Sequence, residues 1–456
     1  MKDLLEQFIA RIWNRTARAH EPTSGLSLGR LVSDGQPSTR SFVLPHGKRA
    51  EHVAILGKTG TGKSSLIRAL SAQDIRANLG FAHIDLHGDT TPYVLQLLAV
   101  EEQRRHVDLS DRIIIIEPAD AEWSVGLNPL EAHTETDRFV HIADVAQILK
   151  QRWHLDTFGA RTEELLRNSL LALSETHQTL LELSPLLTNP AFRTQCLGHV
   201  QNAEVRAYFT TRYDAGSEAM QATWRDAVLN KISAFTADVH FRHLLGQVRS
   251  SFSLIDALDR ACWVLLNIEK GKLGEHASTL GSLFLTTLKN ALFARHARSL
   301  FTVYADELQN LVAYDSGIDT LLSEARKFSI GFCCGNQYLD QYPPQIRAAI
   351  LSIGTHVCFQ LSGSDADRIA AMLGGGKYLQ ELLKNLPPRH FIVKSGHHRW
   401  YHAAVPDVPT LRIDTRDLYD RCRRRWARPR REVEAEIAQR QRRATASNEE
   451  VLHAWE

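Results

Sequence analysis

The chain has 456 residues, 43% of them hydrophobic and 23% charged, with a formal net charge of +2. This is the composition of a globular protein long enough for two or three structural units, and its nearly balanced charge neither favours nor excludes a nucleic-acid partner. No apolar run reaches the roughly 18 to 20 residues that cross a bilayer, and no signal peptide opens the chain, so we expect a protein that is neither membrane-spanning nor secreted.

The first predicted element is an amphipathic helix close to the N-terminus. Its apolar face and the basic side chains beside it are Leu4, Leu5, Phe8, Ile9, Ile12 and Trp13, and Arg11, Arg15 and Arg18. One short helix with few anchors binds lipid only weakly, which favours packing within an assembly or on a partner over a membrane surface. We assign residues 1–50 to this helix and a lead-in to the next unit, and we expect any membrane contact to be peripheral.

A glycine-rich loop with the pattern G-x-x-x-x-G-K-S follows the predicted strand 53–56. The loop comprises Gly57, Lys58, Thr59, Gly60, Thr61, Gly62, Lys63, Ser64 and Ser65. Its glycines permit backbone angles closed to other residues, so successive N–H groups can converge on a phosphate at the start of the next helix. The Lys63 charge can reach the β- and γ-phosphates, and the Ser64 hydroxyl lies where it would complete a Mg²⁺ shell. We therefore predict that the loop binds ATP together with Mg²⁺.

Strand-length apolar runs recur beyond the loop, at 81–86, 113–116, 263–268, 301–305, 330–334, 356–361 and 391–393. Several are apolar almost without a break, which is typical of a mainly parallel sheet with helices on both faces. From 136 to 248 the apolar residues recur at helical spacing instead, and Asn189-Pro190 predicts a helix start within that stretch. The pattern predicts an α/β domain interrupted by an all-helical insert.

The strand 299–305 ends in two adjacent carboxylates, Asp306 and Glu307. With a phosphate-binding loop upstream, this pattern indicates a Walker B element. Asp306 could hold Mg²⁺ through water, and Glu307 could orient or deprotonate the attacking water, which favours hydrolysis over phosphate transfer to a substrate. The competing interpretation is that the pair caps a helix over 308–311.

Two further residues are candidates for the catalytic set. Gln337 ends the following strand, where its amide could contact the γ-phosphate and the attacking water, or could simply close a turn. Arg326 lies on the preceding helix, where it could reach a nucleotide held by a neighbouring subunit, or could form a surface ion pair with Glu324 or Asp319. The chemistry of these residues does not decide between the alternatives.

The C-terminal segment 406–456 is predicted to be helical and is rich in arginine, at Arg421, Arg423, Arg424, Arg425, Arg428, Arg430 and Arg431. These side chains could contact phosphates, with Trp426 available for stacking. Three nearby carboxylates dilute the charge and slightly favour a solvated or subunit-bridging helix, namely Glu432, Glu434 and Glu436.

The cysteines and a histidine cluster do not indicate a metal site. The six cysteines lie scattered without metal-binding spacing, which favours reduced core thiols and a cytosolic protein, at Cys196, Cys262, Cys333, Cys334, Cys358 and Cys422. The cluster of His397, His398 and His402 has no acidic or thiol partner, and its segment is predicted to be a hairpin near the sheet edge.

The order of these motifs resembles that of the VirD4/TraG-type conjugative coupling proteins and the HerA/FtsK-like DNA translocases, the type IV secretion DNA-binding ATPases. The resemblance covers residues 28–405 and includes five shorter patterns at 85–89 (DLHGD), 126–130 (GLNPL), 225–231, 306–310 (DELQN) and 324–328 (EARKF). Leu86 stands where these families have proline. The chain also differs before the loop, since typical coupling proteins begin with transmembrane helices and HerA proteins with a β-barrel.

The resemblance implies a RecA-like P-loop NTPase domain formed by 51–130 and 250–405, with 131–249 as an all-α insert that receives DNA or a relaxase. It implies a homohexameric ring with nucleotide between neighbouring subunits, in which Arg326 acts in trans. The catalytic set would then be Lys63, Asp306, Glu307, Arg326 and Gln337, with Ser64 and Asp306 at the metal.

On this basis we expect a cytoplasmic ATPase, peripheral at most to the inner membrane, that moves DNA in conjugative transfer or type IV secretion, with a relaxase or secretion channel as partner. An alternative is a HerA-like ring whose nucleotide state controls assembly with an effector, such as a nuclease in an antiphage defence system, and whose turnover responds little to DNA. A nucleoside or small-molecule kinase is disfavoured, because the Walker B pair contains a glutamate and the insert is larger than a kinase lid needs.

Overall fold

A computed structural model describes residues 25–132, 134–153, 159–312 and 317–445, and the predicted N-terminal helix lies outside them. Numbered in chain order, the described strands are β1 (Leu26–Ser33), β2 (Gln36–Leu44), β3 (Val53–Leu56), β4 (Gly80–Asp85), β5 (Ile113–Ile116), β6 (Trp123–Ser124), β7 (Trp263–Asn267), β8 (Phe301–Ala305), β9 (Ile330–Asn336), β10 (Thr355–Cys358), β11 (His390–Ser395), β12 (Tyr401–Ala404) and β13 (Arg428–Pro429).

The described helices surround these strands. They are α1 (His46–Arg49), α2 (Lys63–Arg76), α3 (Thr90–Arg105), α4 (Glu135–Trp153), α5 (Ala160–Glu175), α6 (Leu183–Thr188), α7 (Pro190–His199), α8 (Ala203–Ala207), α9 (Glu218–Thr236), α10 (Val239–Leu245), α11 (Leu254–Asp259), α12 (Lys270–Leu273), α13 (His276–Ala294), α14 (Ile318–Glu324), α15 (Pro344–Leu351), α16 (Gly363–Leu373), α17 (Gly376–Lys384), α18 (Arg416–Trp426) and α19 (Arg430–Thr445). In the described part of the chain, no helix combines the length and the hydropathy of a membrane span.

One large sheet organises the fold, in the order β2-β1-β12-β11-β10-β3-β9-β8-β4-β7-β5. The strands from β10 to β5 run parallel to their neighbours, while those from β2 to β11 pair in antiparallel fashion at one edge. The parallel strands are buried along their whole length, which explains why they are apolar almost without a break. The predicted α/β fold with a mainly parallel sheet is confirmed.

The antiparallel edge differs from the lead-in that the sequence predicted for residues before 50. The hairpin β1–β2 turns through Asp34 and Gly35, both at positive φ (52° and 78°), and β1 pairs with β12. An Asp-Gly pair between two strand segments is a strong signal for a two-residue hairpin turn. That local signal was present in the sequence and was missed.

The region predicted to be helical contains α4 to α10, and no strand occurs among its described residues. The predicted start at Asn189-Pro190 is confirmed, because the Asn189 side chain accepts hydrogen bonds from the backbone of Ala191 (2.9 Å) and Phe192 (3.3 Å) at the beginning of α7. Buried leucines of α5 and α6 join the hydrophobic core that also contains strands of the sheet. The helical region therefore shares a continuous hydrophobic core with the sheet.

The arginine-rich C-terminal segment packs on its own chain. Arg423 on α18 donates to Asp120 (3.0 Å), Arg421 pairs with Glu102, and Glu434 on α19 accepts from Arg242 (2.9 Å). The strand β13 also pairs with β6, close to the sheet edge. Several of the arginines that were candidates for phosphate contacts are thus paired with carboxylates of the same chain.

Candidate nucleotide-binding site

The glycine-rich loop joins β3 to α2 at the carboxyl edge of the sheet. Gly60 and Gly62 have φ values of +77° and +118°, in the region that favours glycine. A Cβ added at Gly57 would lie 2.6 Å from the Cβ of Phe359, so space also demands glycine there. The loop is therefore shaped by its glycines, and its backbone N–H groups lead into the positive end of α2.

Lys63 is the first residue of α2 and is buried. Its ammonium donates to the carbonyls of Gly57 (2.7 Å) and Lys58 (3.2 Å), which holds it inside the curve of the loop. Burial lowers the pKa of Lys63, while the negative charges of Asp306 and Glu307 act in the opposite direction. The structure thus places the lysine at the loop and close to both carboxylates.

Ser64 and Asp306 are brought into direct contact. The Ser64 hydroxyl donates to the Asp306 carboxylate across 2.7 Å, although the two residues are 242 positions apart. The contact forms because the loop follows β3 and Asp306 follows β8, and only β9 separates these parallel strands. Burial raises the pKa of Asp306, while the bond from Ser64 and the charge of Lys63 lower it. A hydroxyl and a carboxylate are oxygen ligands that suit Mg²⁺, so this pair fits the predicted metal site.

Glu307 is held in a left-handed conformation (φ 59°, ψ 45°) and is 7% exposed. Its carboxylate accepts hydrogen bonds from the side-chain amides of Gln337 (2.9 Å) and Gln309. The competing interpretation, in which the Asp-Glu pair caps the following helix, is wrong: Glu307 precedes the single turn Leu308–Asn310, but its side chain makes no capping bond. Its carboxylate instead faces the amides at the carboxyl edge of the sheet.

Gln337 follows β9 directly, so the structure brings it beside Glu307, as its position in the sequence suggested. Its backbone N–H also donates to the Gln341 side chain (3.3 Å), so the turn contact that was the alternative is present as well. The two interpretations are compatible, because one uses the backbone and the other the side chain.

Arg326 is not brought to this group of residues. It lies on the turn Ala325–Phe328, its side chain is 66% exposed, and its guanidinium is 3.6 Å from Glu51. The ion pair expected with Glu324 or Asp319 is therefore replaced by one with Glu51, since Glu324 pairs with Lys327.

Asp85 is a structural residue beside the site, and the motif 85–89 did not reveal its role. Its carboxylate accepts four backbone hydrogen bonds, at 3.1, 2.9, 3.0 and 2.7 Å, from His87, Gly88, Thr90 and Thr91. These bonds close the turn at Leu86 and fix the start of α3. An aspartate followed by Gly and Asp-Thr after a strand is the signal that predicts such a side-chain turn.

The surroundings of the cysteines and of His402 are those of structural residues. All six cysteines are buried and free. The Nε2 atom of His402 on β12 lies 3.1 Å from the Nδ1 atom of His390 on β11. Burial lowers the pKa of His402 to about 4. Within the described ranges, no group of three His, Cys, Asp or Glu side chains is arranged for a metal ion.

Part of the chain is similar to a known protein family. Residues 28–236 match the family model described as the central domain of the helicase HerA. No curated protein matches the sequence significantly.

Three solved structures share the fold. The unbound bacterial conjugative coupling protein TrwBdeltaN70 superposes with a TM-score of 0.58 at 17% identity, covering 87% of this chain and 91% of that one. The plasmid coupling protein TrwB in complex with ADP and Mg²⁺ gives 0.57 at 17% identity, with coverages of 84% and 94%. VirB4 of Thermoanaerobacter pseudethanolicus gives 0.57 at 14% identity, with coverages of 85% and 98%. These superpositions show that the chain has the P-loop ATPase fold of the coupling protein TrwB and of VirB4, and the family match shows that residues 28–236 are similar to the HerA central domain.

Proposed function

We propose that this chain is the subunit of a hexameric motor that hydrolyses ATP between neighbouring subunits and uses the energy to move DNA. The observation that carries the hydrolytic part is the assembly of five predicted residues from three segments: Lys63 and Ser64, Asp306 and Glu307, and Gln337. Such a set supplies phosphate binding, metal binding and water activation in one place.

Each of these residues has a definite task in the proposed reaction. The loop N–H groups and Lys63 bind the β- and γ-phosphates, and Ser64 and Asp306 hold Mg²⁺, which would neutralise charge on those phosphates. Glu307 takes the proton of the attacking water, while Gln337 orients that water against the γ-phosphate. Asp306 and Glu307 are adjacent but separate in role, because only Asp306 contacts Ser64 among the described residues.

Arg326 completes the site from the neighbouring subunit. Its guanidinium is exposed, and its one ion pair with a described residue spans 3.6 Å, a type of surface contact worth about 0–1 kcal/mol. A side chain held so weakly can leave Glu51 at little cost when a neighbouring nucleotide offers phosphate oxygens. This placement supports a role in trans, because no described contact links Arg326 to the loop of its own chain.

The similar structures support the choice of ATP and Mg²⁺ as ligands and the proposed roles of the domains. TrwB has been solved with ADP and Mg²⁺ and with non-hydrolysable analogues of GTP and ATP. By analogy we propose ATP and Mg²⁺ as ligands here, 51–130 with 250–405 as the motor domain, and 131–249 as an insert that meets DNA or a partner such as a relaxase. A location on the cytoplasmic side, with peripheral contact at the inner membrane, follows from the same analogy.

The test is steady-state ATP hydrolysis by the full chain, with and without single- and double-stranded DNA. Lys63→Ala, Glu307→Gln and Arg326→Ala should each abolish the stimulation by DNA. Lys327→Ala is the matched control for Arg326, because it removes a neighbouring exposed cation that pairs only with Glu324 among the described contacts. Hydrolysis that ignores DNA would overturn the translocase and favour a ring that controls an effector.

A further inference from the structure

The carboxylate of Glu307 is engaged at both of its oxygens. Oε1 accepts from Gln337 (2.9 Å), and Oε2 accepts from the Nε2 of Gln309. An ionised carboxylate only accepts hydrogen bonds, so the amide of Gln309 must present its nitrogen, and not its oxygen, to Glu307. The two amides therefore fix the orientation of the carboxylate from opposite ends.

Gln309 lies on a turn that is well packed against its neighbours. It lies on the one-turn helix Leu308–Asn310, and the leucines on either side of it, Leu308 and Leu311, are fully buried. The carbonyl of Leu311 also accepts a bond from Ser282 on α13 (2.6 Å), and a Cβ at Gly281 would lie 2.3 Å from the Leu311 side chain. The turn is thus fixed between β8 and α13. This packing limits the movement of the Gln309 side-chain amide that contacts Glu307.

The two amides differ in what else they can contact. In the proposed reaction Gln337 turns toward the γ-phosphate and the water, whereas among the described residues the Gln309 side chain donates to Glu307 alone. When Gln337 leaves, Gln309 is the remaining described side chain that holds the carboxylate. A glutamate has three rotatable side-chain bonds, so without such a partner it would sample orientations away from the water.

We propose that Gln309 is a positioning residue for Glu307: it holds Oε2 so that Oε1 faces the attacking water while Gln337 contacts the phosphate. The inference depends on the proposed role of Glu307 in hydrolysis. The Leu-Gln-Asn turn after the Walker B pair then has a functional role in addition to connecting β8 to the next helix.

The first test is Gln309→Ala in the full chain. We expect kcat to fall about 10- to 100-fold, the value of a hydrogen bond to a charged group, with KM for ATP within about twofold of wild type. The binding of a fluorescent ATP analogue should be unchanged, which shows that the variant folds with an intact loop. Asn310→Ala, on the same turn, is the matched control and should keep wild-type turnover.

The second test is Gln309→Glu, because a carboxyl group donates a hydrogen bond only when it is protonated. Two adjacent carboxylates share a proton more readily at low pH, so the turnover of this variant relative to wild type should rise as the pH falls from about 8 to about 6. Among the described residues, Asp306, Lys63, His87 and Tyr342 are the other titratable groups that influence this site. Burial raises the pKa of Tyr342, so it stays neutral throughout, and the ratio to wild type removes the contribution of the other three.

The results separate the inference from the proposed function. Loss of turnover in Glu307→Gln with normal kcat in Gln309→Ala would overturn only the positioning role, as would a changed KM at constant kcat or a Gln309→Glu ratio independent of pH. Full turnover in Glu307→Gln would refute the proposed chemistry itself.

Discussion

Arg49 and Asp74 form a two-point ion pair in the interior, with N–O distances of 2.7 and 2.6 Å and both side chains almost fully buried. The same guanidinium donates to Thr302 (2.8 Å), and the hydroxyl of Tyr304 donates to Asp74 (2.6 Å). Asp74 lies on α2, whereas Thr302 and Tyr304 lie on β8. The network therefore connects the helix that begins at the loop with the strand that precedes Asp306. It fixes the distance between the two halves of the nucleotide site.

Arg49→Met should lower the free energy of unfolding by about 3–5 kcal/mol, because it leaves the buried carboxylate of Asp74 without its cation. The double substitution Arg49→Met with Asp74→Leu removes both charges and should recover much of the loss. Urea unfolding followed by tryptophan fluorescence measures both values. A double variant that is less stable than Arg49→Met would contradict this account of the network.

Asp306→Asn should stabilise the protein while it abolishes hydrolysis. Burial raises the pKa of Asp306, so the folded state binds its proton more tightly than the unfolded chain does. The contribution of this group to stability is complete below the unfolded pKa and is lost as the pH rises through the folded pKa, so at neutral pH the ionised form is a cost. We expect a gain of about 1 kcal/mol at pH 7, which should vanish in acid, measured by urea unfolding across pH.

Buried histidines should make the fold sensitive to acid. Burial lowers the pKa of His52, His83 and His356 to about 4, below the ordinary value of 6.5. Each is neutral in the folded state, so its contribution to stability is present above pH 6.5 and is lost as the pH falls from 6.5 toward 4, with a slope of at most about 1.4 kcal/mol per pH unit.

His83→Phe tests this sensitivity, since neither ring nitrogen of His83 has a partner among the described residues. Between pH 6.5 and 4, the free energy of unfolding of the variant should fall less steeply with decreasing pH than that of the wild type. Replacement of the exposed His397 by Ala is the control and should leave the slope unchanged. Equal slopes for the two variants would show that His83 is not responsible.

The C-terminal helix α19 should stabilise the helical region. Val433 and Ile437 form a small apolar cluster with Leu181, and Arg440 pairs with the buried Glu182 (3.2 Å). Ile437→Asp should cost about 3 kcal/mol of stability and increase hydrogen exchange in α6 and α10 more than in the sheet. Ala435→Asp, on the exposed face of α19, is the matched control, and equal exchange in both variants would contradict the packing role.

The features that the sequence predicted best are those encoded within one short segment. The loop from Gly57 to Ser65 and the Asp306-Glu307 pair carry their own geometry, because glycine positions and a strand end are local properties. The position of Gln337 could be predicted since parallel strands end at the same edge of a sheet. The interruption of the sheet by helices followed from the change of apolar period.

Contacts between distant segments could not be predicted in the same way. The ion pair of Arg326 with Glu51, the network around Arg49 and the carboxylates that receive Arg421 and Arg423 depend on which elements become neighbours. No local propensity encodes such pairs. The hairpin β1–β2 is a different case, because its Asp-Gly turn was visible in the sequence but the polar start of β2 concealed the second strand.

Whether turnover at this site moves DNA is measured directly by ATP-dependent displacement of a triplex-forming oligonucleotide from double-stranded DNA by the full chain. We predict displacement that requires ATP, disappears in Glu307→Gln and is strongly reduced in Arg326→Ala. Rapid ATP hydrolysis in the same reaction without any displacement, on both this substrate and a single-stranded one carrying a bound block, would contradict this prediction.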